Sequence, residues 1–492
     1  MTAPTHFVFL NQAHELRDAK WGDVAIERLW RYNLHYFDDL NAQDAAARKP
    51  WHEALVARWI TQNPPGHGTA WEPYPTSLRI VNWIKWWVGG QTPHPVWLNS
   101  LAVQVRWLSG RLEWHLLGNH LFVNAKALVA AGLYFEGAEA QGWLRQGLAI
   151  LERQIPEQIL ADGGQFERSP MYHALALEDL LDLINLTQAL DAQAVANATA
   201  RLKLHAVASR MLHWLRCMCH EGGALARFND CADGIAPPLA ELERVAATLG
   251  VHAPWPTQGL SHLATSGYIR LQRGPALLLA DVAPLGPDYL VGHAHADTLA
   301  FELSVGPQRL VVNGGTSCYG LSARRLQERG TAAHSTVELA GQNSSEVWSG
   351  FRVGRRARPM QLLVGETEIS CAHDGYHHLP GQPEHHRRWQ LSSDGLRVQD
   401  QVLAGPSAAR ANFPLAPGLL LEQLQADTFR VHLAGATVAT VQVSAGRAQA
   451  VDSWHAERFG LVVPNQTLAV ELLDGRATTH WRWDNHAHPL SQ

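Results

Sequence analysis

The spacing of apolar residues changes once along this chain of 492 residues, and that change limits what it can fold into. Up to about residue 255, apolar side chains recur every three or four positions, the period of amphipathic helices. Helices are expected over Trp21–Leu40, Leu55–Gln62, Thr76–Val88, Trp97–Leu116, Leu121–Phe135, Ala140–Ile159, Ala174–Leu190 and Ala198–Cys219. Breakers such as Asn63-Pro64-Pro65-Gly66 and Asp162-Gly163-Gly164 separate them. Many helices on short links pack as antiparallel pairs in bundles, solenoids or toroids, and the lack of a fixed-period repeat argues against a regular solenoid. His252-Ala253-Pro254-Trp255-Pro256 reads as a linker. Beyond it come short alternating runs: Gly267–Leu271, Ala276–Asp281, Leu299–Val305, Leu310–Val312, Leu396–Val402, Phe429–Leu433, Thr437–Val443 and Gln466–Leu473. Bounded by Gly, Asp, Asn and Pro, they predict an antiparallel β-sandwich. The chain is too long for one hydrophobic core, so two domains are expected: a helical one over residues 1–255 and a sandwich over 256–492.

Composition narrows the partners. The formal net charge is −5, so no overall basic field points to nucleic acid, although a locally basic cleft can still take an acidic polymer. Five cysteines do not make a disulfide framework at this length. The start Met1-Thr2-Ala3-Pro4-Thr5-His6-Phe7 has no basic region ahead of an apolar run, and no stretch reaches the length of a membrane span. A soluble chain is expected, cytoplasmic by default, with the periplasm and exterior left open. The 19 Trp offer faces for stacking on sugars, but large aromatics more often fill helical cores.

Three clusters suit the removal of a proton beside a carboxylate, which needs donors to the carboxylate as the enolate forms, plus a base and an acid. In Gly118-Asn119-His120, at a break between helical stretches, Asn119 offers amide donors and His120 an imidazole. The plainer alternative is that Asn119 caps the next helix. In Glu167-Arg168-Ser169-Pro170-Met171-Tyr172-His173, Ser169-Pro170 marks a helix entry. Tyr172 then sits in the first turn, where the helix dipole and Arg168 favour negative charge on its oxygen; otherwise it is a core tyrosine. Gly292-His293-Ala294-His295-Ala296-Asp297, read as extended, puts both imidazoles and Asp297 on one face. That spacing suits a metal with His334 of Ala333-His334-Ser335-Thr336 as third ligand, although such pairs also arise by chance among 27 His. His377-His378 and His385-His386 are read as surface residues. Arg324, Arg325, Arg329 and the run Arg352, Arg355, Arg356, Arg358 bring guanidinium groups for carboxylates or sulfates, or ordinary sheet-edge charge.

With Trp30-Arg31-Tyr32-Asn33-Leu34-His35-Tyr36-Phe37 and Trp71-Glu72-Pro73-Tyr74-Pro75-Thr76-Ser77-Leu78-Arg79, these blocks and their order resemble the heparinase II/III-like family of polysaccharide lyases. The resemblance covers most of the chain and is closest to members encoded with bacterial surface-polysaccharide genes. It implies an incomplete (α/α) toroid followed by an antiparallel β-sandwich. It also implies that Asn119 and His120 neutralise a uronate carboxylate, that Tyr172 is the Brønsted base, or base and acid in turn, and that His293 assists. Tyr319 is a candidate acid. Trp71, Glu72, Tyr74, Glu167, Arg168 and Arg329 are implied to bind substrate. Family members often hold a zinc in the β domain through His, Asp and His. Here His295 and His334 match the histidines, and Asn313 stands where the aspartate is expected, a neutral and weaker ligand.

The expectation is therefore a lyase that cleaves a uronate-containing acidic exopolysaccharide by β-elimination, leaving a 4,5-unsaturated sugar. Two rivals stand beside it. One is a glycoside hydrolase using carboxylates such as Glu72, Glu167, Asp230 or Asp297. The other is a non-catalytic polysaccharide-binding component of an assembly complex.

Overall fold

The structure is a computed structural model and describes residues 1–16, 20–190, 202–405 and 408–483. The helical period holds where it was expected. Helices run over Arg28–Tyr36, Lys49–Gln62, Pro73–Val88, Pro95–Ser109, Gly118–Tyr134, Ala138–Gln158, Pro170–Ala189 and Leu204–Cys217. The expected helix over Ala198–Cys219 lies partly outside the described residues. The fourth helix stops at Gly110, short of the expected Leu116. A short hairpin, His6–Phe9 with Gln12–Glu15, precedes them, and a ten-residue helix, Leu239–Thr248, follows.

The chain divides into two compact units: residues 1–158 with 178–206, and residues 159–177 with 207–492. The first unit consists of the paired helices of an incomplete (α/α) toroid. Its best-defined pair is Gly118–Tyr134 with Ala138–Gln158, antiparallel and in close approach. A Cβ on Gly147 would lie 2.7 Å from the Ala125 carbonyl oxygen, and one on Gly132 2.6 Å from Leu144 Cβ. Side chains at those points would push the helices apart. Tryptophans fill this unit: Trp30, Trp59 and Trp83 are fully buried, and the buried Arg79 guanidinium lies 3.9 Å over the Trp59 ring.

In the second unit the strands begin at Gly259. A five-stranded meander orders Gly259–Leu263, Tyr268–Arg273, Ala276–Asp281, Phe301–Val305 and Gln308–Val311. An eight-stranded sheet and a four-stranded sheet complete the antiparallel sandwich. One apolar core, including Phe301, Trp389, Phe413, Leu468 and Trp481, joins all three. The unit also takes in helical chain that precedes the first strand, because Trp214, Met218 and Phe228 pack with Tyr268 and Leu279 in one buried cluster. Several strands escape the alternating-run reading. Glu384–Leu391 is one, because its inward row carries His385 and Arg387 as well as Trp389 and Leu391.

Candidate functional site

The second unit gathers Tyr172, Tyr319, His293 and Glu167. Ser169 accepts the Tyr172 backbone N–H at 3.2 Å, so the helix Pro170–Ala189 opens with the Ser cap and first-turn Pro that the sequence predicts. The preceding residue, Arg168, takes a left-handed φ of 62°. Its carbonyl receives hydrogen bonds from Tyr268 Oη at 2.7 Å and Asn229 Nδ2 at 3.0 Å, which pin the strained turn. Tyr172 is thereby held at the head of the helix, nearly buried, with its hydroxyl 2.8 Å from that of Tyr319. The His293 ring stacks on the Tyr172 ring at 3.9 Å between centroids and 13° between planes. Glu167 Oε2 lies 2.6 Å from His293 Nδ1, leaving Nε2 as the nitrogen free for chemistry. Burial pushes the Tyr319 phenol well above its ordinary range, with the charge of Asp230 adding to the effect, so it keeps its proton. Phe351, 42% exposed, sets its ring 5.2 Å from Tyr319 and 6.1 Å from His293, a flat apolar wall beside the polar groups.

His295 does not share a face with His293. Residues 292–297 form a loop, not a strand, and the two imidazoles diverge. His295 turns inward, its Nε2 2.8 Å from Asp230 Oδ1 and its Nδ1 3.2 Å from His334 Nε2. Arg325 grips both oxygens of Asp230, through a short contact to Oδ1 and at 2.7 Å to Oδ2. Burial opposes the charge on Asp230, but Arg325 and His295 outweigh it and hold the carboxyl well below the usual carboxylate range. Burial lowers His295 to about 4, against the pull of Asp230, and His334 falls well below its ordinary value for the same reason. Both are neutral near pH 7.

A second cluster repeats this order of groups. His373 Nε2 lies 3.2 Å from His385 Nδ1, His385 Nε2 lies 2.8 Å from Asp400 Oδ1, and Arg387 holds both Asp400 oxygens at 2.6 and 2.9 Å. His385 is fully buried, which corrects the surface reading of that pair. The proton count differs between the two clusters. His373 Nδ1 accepts the Gly375 N–H at 3.1 Å, so its Nε2 carries the proton donated to His385. In the first cluster His334 Nδ1 faces Asn313 Oδ1 at 3.3 Å, an oxygen fixed by the Ser335 N–H it accepts, so it carries the proton. The His334 Nε2 and His295 Nδ1 lone pairs then point at each other and call for a cation between them. Zinc–nitrogen bonds of about 2.0–2.1 Å are compatible with that separation. His295 and His334 therefore fit two zinc ligands, each oriented by an outer partner. Asn313 does not fit as the third, because its oxygen is turned to His334 Nδ1 and to the Ser335 N–H at 3.2 Å. Among the described residues, no group of three His, Cys, Asp or Glu is placed to hold a metal.

The first unit gathers Asn119, His120 and Tyr74. Asn119 and His120 lie half-buried in the first turn of the helix Gly118–Tyr134, where backbone N–H groups give positive potential. The helix cap is Leu117, at φ 58°, so Asn119 is not the cap. His120 Nδ1 lies 3.1 Å from Glu113 Oε1, its ring sits 4.5 Å from that of Tyr74, and the Asn119 side chain hydrogen-bonds the Tyr74 hydroxyl. Glu113 in turn accepts from Asn124 Nδ2 at 3.0 Å.

Five implied substrate-binding residues are placed otherwise than expected. Trp71 is 3% exposed and donates its indole N–H to the Asn63 carbonyl, so it is core, not a stacking face. Arg329 is fully buried and donates to the carbonyls of Ala294, Ser349 and Gly350, clamping the His293 loop from behind. Arg168 donates Nε to the Ser266 carbonyl and is 9% exposed. Glu167 is 3% exposed and serves His293. Glu72 is half-buried in short contacts with Arg28 and Tyr32. Sequence reasoning missed Glu113, Asp230 as the partner of Arg325, and Phe351. The Arg325 partnership spans 95 residues, and no local pattern announces it.

Comparisons with known proteins bear on the family and the fold. A family model described as Heparinase II/III N-terminus matches residues 33–230, and one described as Heparinase II/III-like, C-terminal, matches residues 256–484. A Heparin-sulfate lyase of Bacteroides stercoris is 23% identical over 267 residues, covering 51% of this chain and 40% of that protein. FtsZ-localized protein C of Caulobacter vibrioides is 28% identical over 295 residues, covering 56% of this chain and 48% of that protein. The chain thus spans less than half the length of these curated relatives. The crystal structure of Heparinase III matches at a TM-score of 0.77 and 16% identity, covering 96% of this chain and 80% of that one, which shows a shared fold.

Proposed function

This chain belongs to the heparinase II/III-like family, and from that premise we propose that it is a polysaccharide lyase acting on a uronate-containing acidic polymer. The observation that carries the reading is the Tyr172–Tyr319 hydroxyl pair at 2.8 Å, flanked by a His293 whose Nδ1 is occupied by Glu167. In the reaction, a base removes the proton at C5 of the uronate, the C–H electron pair becomes the C4–C5 double bond, and the C4–O bond breaks. The departing oxygen takes up a proton, so no water is consumed. Tyr172 is the base. Tyr319, kept protonated by burial, donates to the Tyr172 oxygen and steadies the negative charge there. His293 serves through Nε2 as the second proton carrier. The family resemblance implies that Asn119 and His120 neutralise the carboxylate, which makes C5 acidic; removing one such donor typically costs ~10²–10³ in rate. A zinc between His295 and His334 would cross-link two buried loops and take no part in proton transfer.

A hydrolase is less well supported by the geometry. Asp230 is locked to Arg325, Asp297 is 2% exposed, and Glu167 is committed to His293. The relative named for localisation with FtsZ supports a second reading, a polymer-binding component at an assembly site. Incubation with uronate polymers separates them. A rise in ultraviolet absorbance from unsaturated ends, lost in Tyr172→Phe, supports the lyase; saturated products point to the hydrolase, and tight binding without turnover to the binding component.

A further inference from the structure

We propose that the sandwich carries a second saccharide site, a pocket that takes an anionic sugar unit of the polymer apart from the Tyr172 cluster. The inference rests on the lyase reading for the identity of the polymer, but not for the chemistry of the pocket. It has a volume of about 570 Å³, within the ~300–1,000 Å³ range of small-molecule sites. Register builds its floor. Leu391, Leu396 and Trp481 are cross-strand neighbours that point into the core. One position along, Gln390, Arg397 and His480 are therefore neighbours on the outward face, with facing Cβ atoms roughly 4.5–5.5 Å apart. Arg273, the last residue of the strand Tyr268–Arg273, and the exposed Ser392 and Ser393 complete the wall.

The lining is one-signed. It holds two arginines and a histidine and no carboxylate. Of the acids flanking lining residues in sequence, Asp394 is engaged by the Ser392 hydroxyl at 2.8 Å, Glu368 by Arg388, and Glu366 is exposed. Arg273 is anchored by one nitrogen, Nη2, at 2.8 Å from the Glu366 carbonyl, while its buried Nε has no acceptor. After burial, Arg482 and Arg397 depress His480, and they outweigh the opposing pull of Asp394. Guanidinium groups at fixed spacing match a carboxylate or sulfate, and the serine hydroxyls and the Gln390 amide match sugar hydroxyls. Gly395 keeps the floor open, since a Cβ there would lie 2.8 Å from the Trp481 carbonyl oxygen and 3.4 Å from His480 Nε2.

The test uses full-length protein carrying Tyr172→Phe, so that no probe is consumed, and titrates a heparan sulfate tetrasaccharide by calorimetry. Two binding events are expected, and Arg397→Ala together with Arg273→Ala should weaken one by about tenfold or more while an unchanged melting temperature confirms the fold. Arg397→Ala alone, at an exposed position, serves if the double variant does not fold. Neutral maltotetraose should not bind there. A titration unaltered by these substitutions, or equal binding of maltotetraose, overturns the proposal. Failure of the lyase reading shows itself elsewhere, as absence of unsaturated product from protein with Tyr172 intact.

Discussion

Glu167 holds His293 through a 2.6 Å contact to Nδ1, and His293 lies flat on Tyr172, so one carboxylate fixes both the free nitrogen and the ring that packs on the phenol. Glu167→Gln keeps the shape but lets the amide present either a donor or an acceptor to Nδ1. The imidazole then loses its fixed tautomer. We expect kcat to fall by roughly 10²-fold, in line with the usual worth of a positioned acid or base, with little change in KM. Steady-state kinetics with a thermal melt as control checks this; a wild-type kcat would remove Glu167 from the mechanism.

The two phenols should behave as one unit. Tyr172→Phe is expected to remove turnover, and Tyr319→Phe to reduce it by roughly 10²-fold, because each loses the shared hydroxyl contact at 2.8 Å. The double variant should be no slower than Tyr172→Phe alone, since groups acting together are strongly non-additive. Initial rates for the three variants decide the point, and additive losses would show that Tyr319 works independently of Tyr172.

Much of this cluster could be read from the chain, and the reason is local. Ser169-Pro170 sets the helix start and hence the place of Tyr172, whereas Asn119 and His120, read as a break before Leu121, lie inside a helix that begins at Gly118. What could not be read depends on contacts distant in sequence. His293 and His295 look like a matched pair, yet Glu167 takes one and Asp230 the other, because the segment is a loop whose backbone is held by Arg329. Trp71 has the composition of a sugar platform, but its indole faces a buried carbonyl. His385 reads as a surface residue because its partner, Asp400, lies on the neighbouring strand.

Acid should act on the second unit through its buried histidines, against the buried Asp281 and Asp297, whose carboxyls burial raises and which favour the folded chain as pH falls. His173 accepts the Gln165 N–H on Nδ1 at 3.2 Å and donates Nε2–H to the Met211 carbonyl at 2.9 Å, and burial lowers it to about 4. An unfolded histidine titrates near ~6.5, so between about pH 6.5 and 4 the unfolded chain binds the extra proton, and stability falls as pH drops, by about 1.4 kcal/mol per pH unit for this group. Asp400 adds to the loss only further down. Burial opposes its charge, but Arg387 and His385 hold it to about 2, so its contribution is present above the unfolded value near ~3.9 and lost as pH falls toward 2. Urea unfolding across pH 7 to 4 should show the difference directly: His173→Asn should lose about 1.4 kcal/mol per pH unit of the wild-type slope and keep what His295 and the other buried histidines contribute. Equal slopes for the wild type and His173→Asn over that window would contradict the neutral His173.

Breaking the Asp230–Arg325 pair should cost far more than removing it. Both groups are fully buried, and Asp230 takes two guanidinium bonds and the His295 N–H. Arg325→Met leaves a buried carboxylate facing one neutral imidazole, His295, a loss of about 3–5 kcal/mol in comparable cases. Arg325→Met with Asp230→Asn should recover part of it. Chemical denaturation of both variants measures the difference, and equal loss would show that the charge of Asp230 is met by some other group.

Zinc should bind between His295 and His334, and bind weakly. Their facing lone pairs at 3.2 Å call for a cation, but both ligands are neutral and Asn313 is committed to His334 and Ser335. Two imidazoles completed by water make a poorer site than the usual set of three or four protein ligands. Added zinc should therefore raise the melting temperature, and a chelator should reverse the rise without affecting the His373–His385 pair, which already shares a proton. Asn313→Asp supplies an anionic oxygen beside His334 and should tighten zinc by at least about tenfold, as expected when charge and ligand number both increase. His334→Ala should abolish the response. Metal analysis after dialysis, paired with melts at stepped zinc concentrations, tests each part; a melting temperature indifferent to zinc in both the native chain and Asn313→Asp would show that a proton alone bridges the two imidazoles.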